Sequence, residues 1–148
     1  MQIEFRSATE NDVPVILDMM EQFNAIDHYP FRKDKTRTNL LAFLASEQLG
    51  KAWLIEADQL VIGYIVLAFG FSFEHGGRYG FVDEVYMDAA YRGKGIGKRC
   101  MDFLLSEAPQ LGVQVFYLEV EPHNQAGVKL YREKGFRENG RILLTKKL

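Results

Sequence analysis

The chain has a single cysteine, Cys100, among its 148 residues. That leaves no internal disulfide and no cysteine-rich metal site. Proline is sparse too. Pro14, Pro30, Pro109 and Pro122 are scattered, with no Pro/Ser-rich linker, low-complexity tract or internal repeat around them. Neither sign of charge dominates: 18 Lys and Arg against 20 Asp and Glu give a formal charge of −2. Without a global basic field, nucleic acid is not an expected partner. Long hydrophobic runs are missing as well. The longest, Leu60 to Phe71, is broken by Gly63 and Gly70 and is too short for a bilayer, so no membrane partner is expected. Met1 to Arg6 contains Glu4 and lacks a signal peptide's apolar core. His28, His75 and His123 have no metal-ligand spacing, so no metal is expected. The resulting expectation is a cytoplasmic protein in a reducing compartment.

What is present suits a folded chain. Hydrophobic residues are 47% and charged residues 26%, ordinary values for a globular protein, and the length predicts one domain over residues 1–148. Ile3-Glu4-Phe5-Arg6 alternates as a strand does. Val13, Ile16, Leu17, Met20 and Phe23 follow at helical spacing behind Thr9-Glu10-Asn11-Asp12, which reads as a capping box. A weaker helix is predicted from about Lys35 to Ser46, with Leu40, Leu41 and Leu44 inward. Ala52–Ala57 and Leu60–Phe69, joined by Asp58-Gln59, read as a hairpin, and Tyr79–Met87 as a third strand beside it. A helix over Gly93–Glu107, a strand over Val113–Val120 and a helix over Gln125–Lys134, with Asn124 as N-cap and Gly135 as stop, come next. Phe136–Lys146 reads as a closing strand. The strand–helix–strand unit from Tyr79 to Val120 predicts one parallel pair in an otherwise antiparallel sheet. The fold class is therefore α/β (α+β), a mixed sheet with helices on both faces.

One segment carries chemistry. Arg92-Gly93-Lys94-Gly95-Ile96-Gly97-Lys98 lies between a strand and a helix start. Three glycines in five positions expose backbone N–H groups, and the helix N-terminus and flanking cations favour a phosphate or pyrophosphate there. A P-loop is excluded, because Arg99 follows Gly97-Lys98 where a hydroxyl should hold Mg²⁺, and Arg92 replaces the first glycine. A dinucleotide fingerprint needs Gly-x-Gly-x-x-Gly directly after its strand, and neither the spacing nor the position fits.

With those residues in view, Arg92 to Gly97 resembles the acetyl-CoA signature of the GNAT superfamily of N-acetyltransferases. Asp83-Glu84-Val85-Tyr86-Met87 resembles its pantetheine-binding strand. Asn124, Ala126, Leu130-Tyr131 and Lys134-Gly135-Phe136 resemble its Asn…Ala…Leu-Tyr…Gly-Phe helix. The likeness covers nearly the whole chain and is motif-level from Phe81 to Phe136. It implies the GNAT fold, with the parallel pair at the acetyl-CoA cleft, and acetyl-CoA as co-substrate. Amides from Gly93 to Lys98, with Arg92 beside them, would hold the pyrophosphate. Val85, Tyr86 and Met87 would line the pantetheine, with main-chain groups of Val85 and Met87 pairing to it. Asn124 and Ala126 would border the CoA arm, and the Tyr131 phenol would sit by the sulfur.

The reaction so implied is direct acetyl transfer to a primary amine of a small molecule. The alternatives are an acyl-CoA-binding module without turnover, acetylation of a protein or peptide amine, and a nucleotide-binding protein of another family. A phenol of pKa ~10 can donate to a leaving thiolate of pKa ~8.5. An alkylamine is only about one part in a thousand neutral near pH 7.4, a cost of ~4 kcal/mol, so a base is needed. Asp83 and Glu84 are the candidates; they alternate on their strand, so one faces the acceptor directly. Acids at Glu74, Asp83, Glu84, Glu119 and Glu121 suggest an entrance for a small cationic amine. Phe69, Phe71 and Phe73 alternate and could form a homodimer seam.

Overall fold

The computed structural model describes residues 1–148. Five strands, β1 (Ile3–Ser7), β2 (Gly50–Ala57), β3 (Leu60–Ser72), β4 (Gly77–Met87) and β5 (Val115–Leu118), form one sheet in sequence order. The first three junctions are antiparallel and β4–β5 is parallel. The crossover is α3 (Ile96–Leu111); α1 (Val13–Ile26) and α2 (Lys33–Leu44) precede β2, and α4 (Gln125–Glu133) follows β5. No helix is long and apolar enough to cross a membrane.

Side-chain alternation divides the core between the two faces of the sheet. Trp53, Ile55, Ile65 and Leu67 join Ile96, Cys100, Met101 and Leu104 of α3. Leu54, Tyr64 and Val66 join Val13, Ile16 and Leu17 of α1 and Leu40 of α2. The β2–β3 turn uses Asp58 and Gln59 at φ 48° and 70°. Two successive left-handed residues match the twist of a tight hairpin.

The β3–β4 ladder contains the irregularity that matters for function. Val66 pairs with Glu84 and Leu67 with Val82, so Asp83 is an extra residue. A bulge reverses the facing of everything beyond it. Val82 belongs to the α3-side core, and without the bulge Glu84 would share its face. Instead Val85 and Met87 pack on the α3 side, while Tyr86 is buried on the α1–α2 side.

Three expectations are corrected. Leu41 is 41% exposed while Leu40 is buried, because α2 covers the sheet with a narrow face. Helix α3 starts at Ile96, not Gly93, because Gly93 and Gly95 adopt left-handed backbone angles outside the helical range. It runs on to Leu111, with Pro109 accommodated in its last turn. The closing strand at Phe136–Lys146 does not form; residues 137–148 have no regular structure. A strand needs a ladder partner, and here Arg141 instead makes a two-bond ion pair with Glu74 at 2.8 and 2.9 Å, beside the β3–β4 turn. Ile142, Leu143 and Leu144 remain 75–86% exposed.

Cys100 is fully buried in the α3-side core, and burial pushes its thiol up to about 12. The native protein is therefore expected to show no thiol titratable with a disulfide reagent at pH 8, and one after guanidinium unfolding. Rapid labelling of the native protein would contradict this packing.

Candidate active site

Strand β4 loses its second neighbour where the bulge occurs. Its pairing with β5 runs from Tyr79–Val115 to Val82–Leu118 and stops. Beyond Val82 the outer edge of β4 has no strand beside it. Asp88 N–H donates to Ile62 O at 2.7 Å on the β3 side. By antiparallel alternation, Glu84 and Tyr86 bond toward β3, and Val85 and Met87 present their N–H and C=O groups to the open edge. The Met87 carbonyl there accepts from Arg92 Nε at 2.8 Å. Tyr86 offers nothing to that edge: its ring lies on the other face, and its hydroxyl donates to Gln22 at 2.8 Å.

The glycine turn lies past the end of this strand. Gly93 and Gly95 have φ 75° and 79°, and a Cβ on either would meet nothing within 4 Å. Backbone angle, not crowding, demands glycine at both. Gly97 serves differently, since its Cβ would lie 3.2 Å from Leu130, so its small size lets α4 approach α3. Ile96 is buried and can offer only its amide. The first-turn amides of α3 have no intrahelical acceptor. Arg92 and Lys94 stand over the Tyr86 and Tyr91 rings, and Lys98 pairs with Glu133 at 3.4 Å.

Helix α4 forms another wall. Asn124 caps it by accepting from Gly127 N–H at 3.0 Å, and Ala126 is exposed in its first turn. Tyr131 packs half-buried on the α3-side core, edge-on to Phe136 at 6.0 Å. Its hydroxyl bonds to no protein group and is not sealed from solvent. Burial, reinforced by Cys100, raises its pKa, so it is protonated at neutral pH.

Of the two candidate carboxylates, Glu84 is the enclosed one. The bulge turns it to the α1–α2 side, where Tyr64 Oη donates to it at 2.6 Å. Burial raises the Glu84 pKa, the Tyr64 bond opposes that, and Asp83 adds to it. Burial, with Glu84 next, pushes the Tyr64 hydroxyl far up, so it is a permanent donor. Asp83 is exposed at the bulge, and its carboxyl is raised by desolvation and by Glu119. Glu84 borders a cavity of about 400 Å³ that Met20 and Asn24 of α1, Phe31 and Arg32 of the connection and Lys35 of α2 help to enclose. A more open hollow of about 530 Å³ beside α4, lined by Gln125, Lys129 and Arg132 among others, contains none of the candidate site residues.

Of the acids expected at the entrance, Asp83 lies close enough to Glu84 and to Glu119 for like charge to raise carboxyls there, while Glu74 and Glu121 are engaged elsewhere. Glu74 is held by Arg141. Glu121 accepts from Tyr29 Oη at 3.1 Å, and His123 lies 3.9 Å from Asp27, which ties the segment after β5 to the α1–α2 connection. Tyr64 sits in an apolar run and carries no sequence signal for this role; Arg32 and Lys35, at the α1–α2 connection, look individually like ordinary surface cations. The bulge gives Glu84 its bond to Tyr64 and puts it in the same cavity lining as Arg32 and Lys35.

The acetyltransferase (GNAT) family profile matches residues 16–136. An L-methionine sulfoximine/L-methionine sulfone acetyltransferase of Salmonella typhimurium is 32% identical over 102 residues, 68% of this chain. The match spans 59% of that relative, so this chain covers less than two thirds of it. A spermine/spermidine N(1)-acetyltransferase of Bacillus subtilis is 23% identical over 145 residues, covering 96% of this chain and 92% of that one. Among solved structures, an integron cassette protein from the mobile metagenome of Cole Harbour Salt Marsh superposes with a TM-score of 0.87 at 34% identity. The likeness covers 97% of this chain and 90% of that one.

The Tyr64 hydroxyl favours the ionised form of Glu84, so its removal should shift that carboxyl further upward. Carbon-detected NMR titration of Tyr64→Phe is expected to show Glu84 titrating at higher pH than in the parent protein. An unchanged or lower midpoint would separate the two groups.

Proposed function

The chain belongs to the GNAT family of acetyltransferases, and from that premise we propose that it moves the acetyl group of acetyl-CoA directly to the primary amine of a small molecule. The observation that carries this reading is the open edge of β4. There the backbone groups of Val85 and Met87 stand unpaired by any strand, just ahead of the glycine turn that opens α3. Free amides from Gly93 to Lys98, with the cations around them, suit a pyrophosphate. An extended pantetheine arm could complete the ladder that β5 abandons at Leu118, as a peptide does in strand addition. Asn124 and Ala126, at the start of α4, border that path.

In the proposed reaction a neutral amine attacks the thioester carbonyl, the C–N bond forms, and the tetrahedral adduct collapses with C–S cleavage. Glu84 takes the proton from the arriving ammonium, directly or through a water, and its raised pKa makes it a better acceptor than an exposed carboxylate. Asp83 is a base at one remove, at the bulge. Tyr131 donates a proton to the sulfur as thiolate charge grows, and the proton that the adduct's nitrogen sheds on becoming an amide restores the phenol through water. The free Tyr131 hydroxyl and the enclosed Glu84 favour turnover over a module that only holds acyl-CoA. We take residues 1–148 as one acetyltransferase domain, acting in the cytoplasm. The exposed Phe71, Phe73 and Ile142–Leu144 support a homodimer, which light scattering would detect.

Two variants test the roles. Gly95→Asp places a carboxylate on the anion-binding turn, at a left-handed position where Asp is strained less than most residues. It should keep its circular dichroism and lose acetyl-CoA affinity by at least roughly tenfold, measured calorimetrically; retained affinity would remove the pyrophosphate from this turn. Tyr131→Phe should lower kcat, within the ~10²–10⁴ range of general-acid effects and toward its lower end because a thiolate leaves readily. Its acetyl-CoA dissociation constant should change little. An unchanged kcat for CoA release would make Tyr131 a packing residue.

A further inference from the structure

We propose that the cavity over Glu84 recognises amino-acid-like acceptors, with Arg32 and Lys35 binding the acceptor's carboxylate while Glu84 receives its amine. This rests on the acetyl-transfer reading above and names the acceptor class for the same site. Relatives acting on methionine analogues and on polyamines leave that class open. The charges lining the cavity separate the two.

Glu84 is the one acid lining the cavity, and Arg32 and Lys35 are its two cations. Neither cation is neutralised strongly. Arg32 meets Asp34 at 3.4 Å with both side chains more than 70% exposed, a pairing that water screens. Lys35 has no ion pair, whereas the adjacent Lys33 is committed to Asp18 at 2.7 Å. Glu84 spends one hydrogen bond on the neutral Tyr64 hydroxyl and keeps its charge available. One anion and two cations, one weakly paired and one without an ion pair, across a single cavity complement a zwitterion, which offers an ammonium to the first and a carboxylate to the others. Arginine suits that carboxylate because its planar fork can bind both oxygens. A polyamine presents the opposite pattern, since its second ammonium would face Arg32 and Lys35, and like-charge contact discriminates against it. Met20 and Phe31 supply apolar wall, and about 400 Å³ leaves room for a medium-sized apolar side chain.

The test compares amine acceptors with and without a carboxylate. Initial rates of CoA release from acetyl-CoA are measured with L-methionine, L-leucine and L-phenylalanine, with their carboxamides, and with spermidine. The best amino acid is expected to exceed its carboxamide and spermidine in kcat/KM by at least roughly tenfold, as loss of a charged hydrogen bond implies. In the Arg32→Ala/Lys35→Ala double variant, checked for folding by circular dichroism, the amino-acid to carboxamide ratio should fall by about the same factor. Arg32→Lys should retain part of it. Carboxamides or spermidine accepted as well as amino acids, or a ratio unmoved in the double variant, would overturn the carboxylate subsite and leave acetyl transfer standing. Direct binding of the same amino acids, by ligand-observed NMR on the full chain, separates the other failure. Binding that weakens in the double variant without any CoA release would support the subsite and overturn acetyl transfer, and no binding to the parent protein would overturn the subsite itself.

Discussion

One extra residue in β4 governs the arrangement of the site. The bulge at Asp83 falls where β4 parts from β5, and both events are needed. Parting alone would open a backbone edge, yet Glu84 would then point into the α3-side core with Val82, where an ionised carboxylate is costly to bury. The bulge alone would turn Glu84 outward without freeing the edge. Together they let one short stretch do two jobs on perpendicular axes: Val85 and Met87 present backbone groups in the plane of the sheet, and Glu84 projects from its face. Bulges recur beside functional sites because they re-aim a side chain within a rigid ladder.

The same placement sorts the proton chemistry. Tyr131 and Glu84 both have pKa values raised mainly by burial, with opposite consequences. For a phenol already near 10, a further rise only fixes it as a donor at neutral pH. For a carboxyl, a rise brings its proton affinity closer to that of the amine it must relieve, so that transfer becomes less uphill. Tyr64 limits that rise. It gives Glu84 one good hydrogen bond, and being far more resistant to ionisation it cannot compete for the proton. The two sides of the sheet therefore hold the proposed acid, on α4, and the proposed base, on β4, in surroundings that are both largely apolar.

Much of this was legible in the sequence, for reasons that differ by element. The amphipathic period of α1, the hairpin signal at Asp58-Gln59 and the glycine turn before α3 are local, and local chemistry suffices to form them. The Asn124 cap and the Gly135 stop are of the same kind. The bulge at Asp83 has no such signature. Nothing in Phe81-Val82-Asp83-Glu84-Val85 announces an extra residue, because the bulge is defined by the register against Val66 and Leu67 across the hairpin. The closing strand failed for a related reason. Its alternation is weak, and whether Ile142–Leu144 pairs depends on what lies alongside, not on the segment's own preference.

Charge was the least legible property. Glu74 and Arg141 are 67 positions apart, yet form a two-bond pair that removes both from the field an acceptor would meet. Glu121 is 92 positions from the Tyr29 hydroxyl that engages it. Acids near one another in sequence are thus treated unequally by the fold: Glu74 is neutralised, while Asp83 still faces Glu119 and Glu84 still faces Asp83. Arg32 and Lys35, in a stretch where cations look like ordinary helix surface, border the cavity that Glu84 also lines. Screening explains why this redistribution matters. Beyond about 8 Å at physiological salt a surface charge has little influence, so selectivity is set by the few uncompensated groups within contact of the ligand. At the proposed acceptor cavity the candidates are Glu84, Arg32 and Lys35, and only the fold could bring them to one lining.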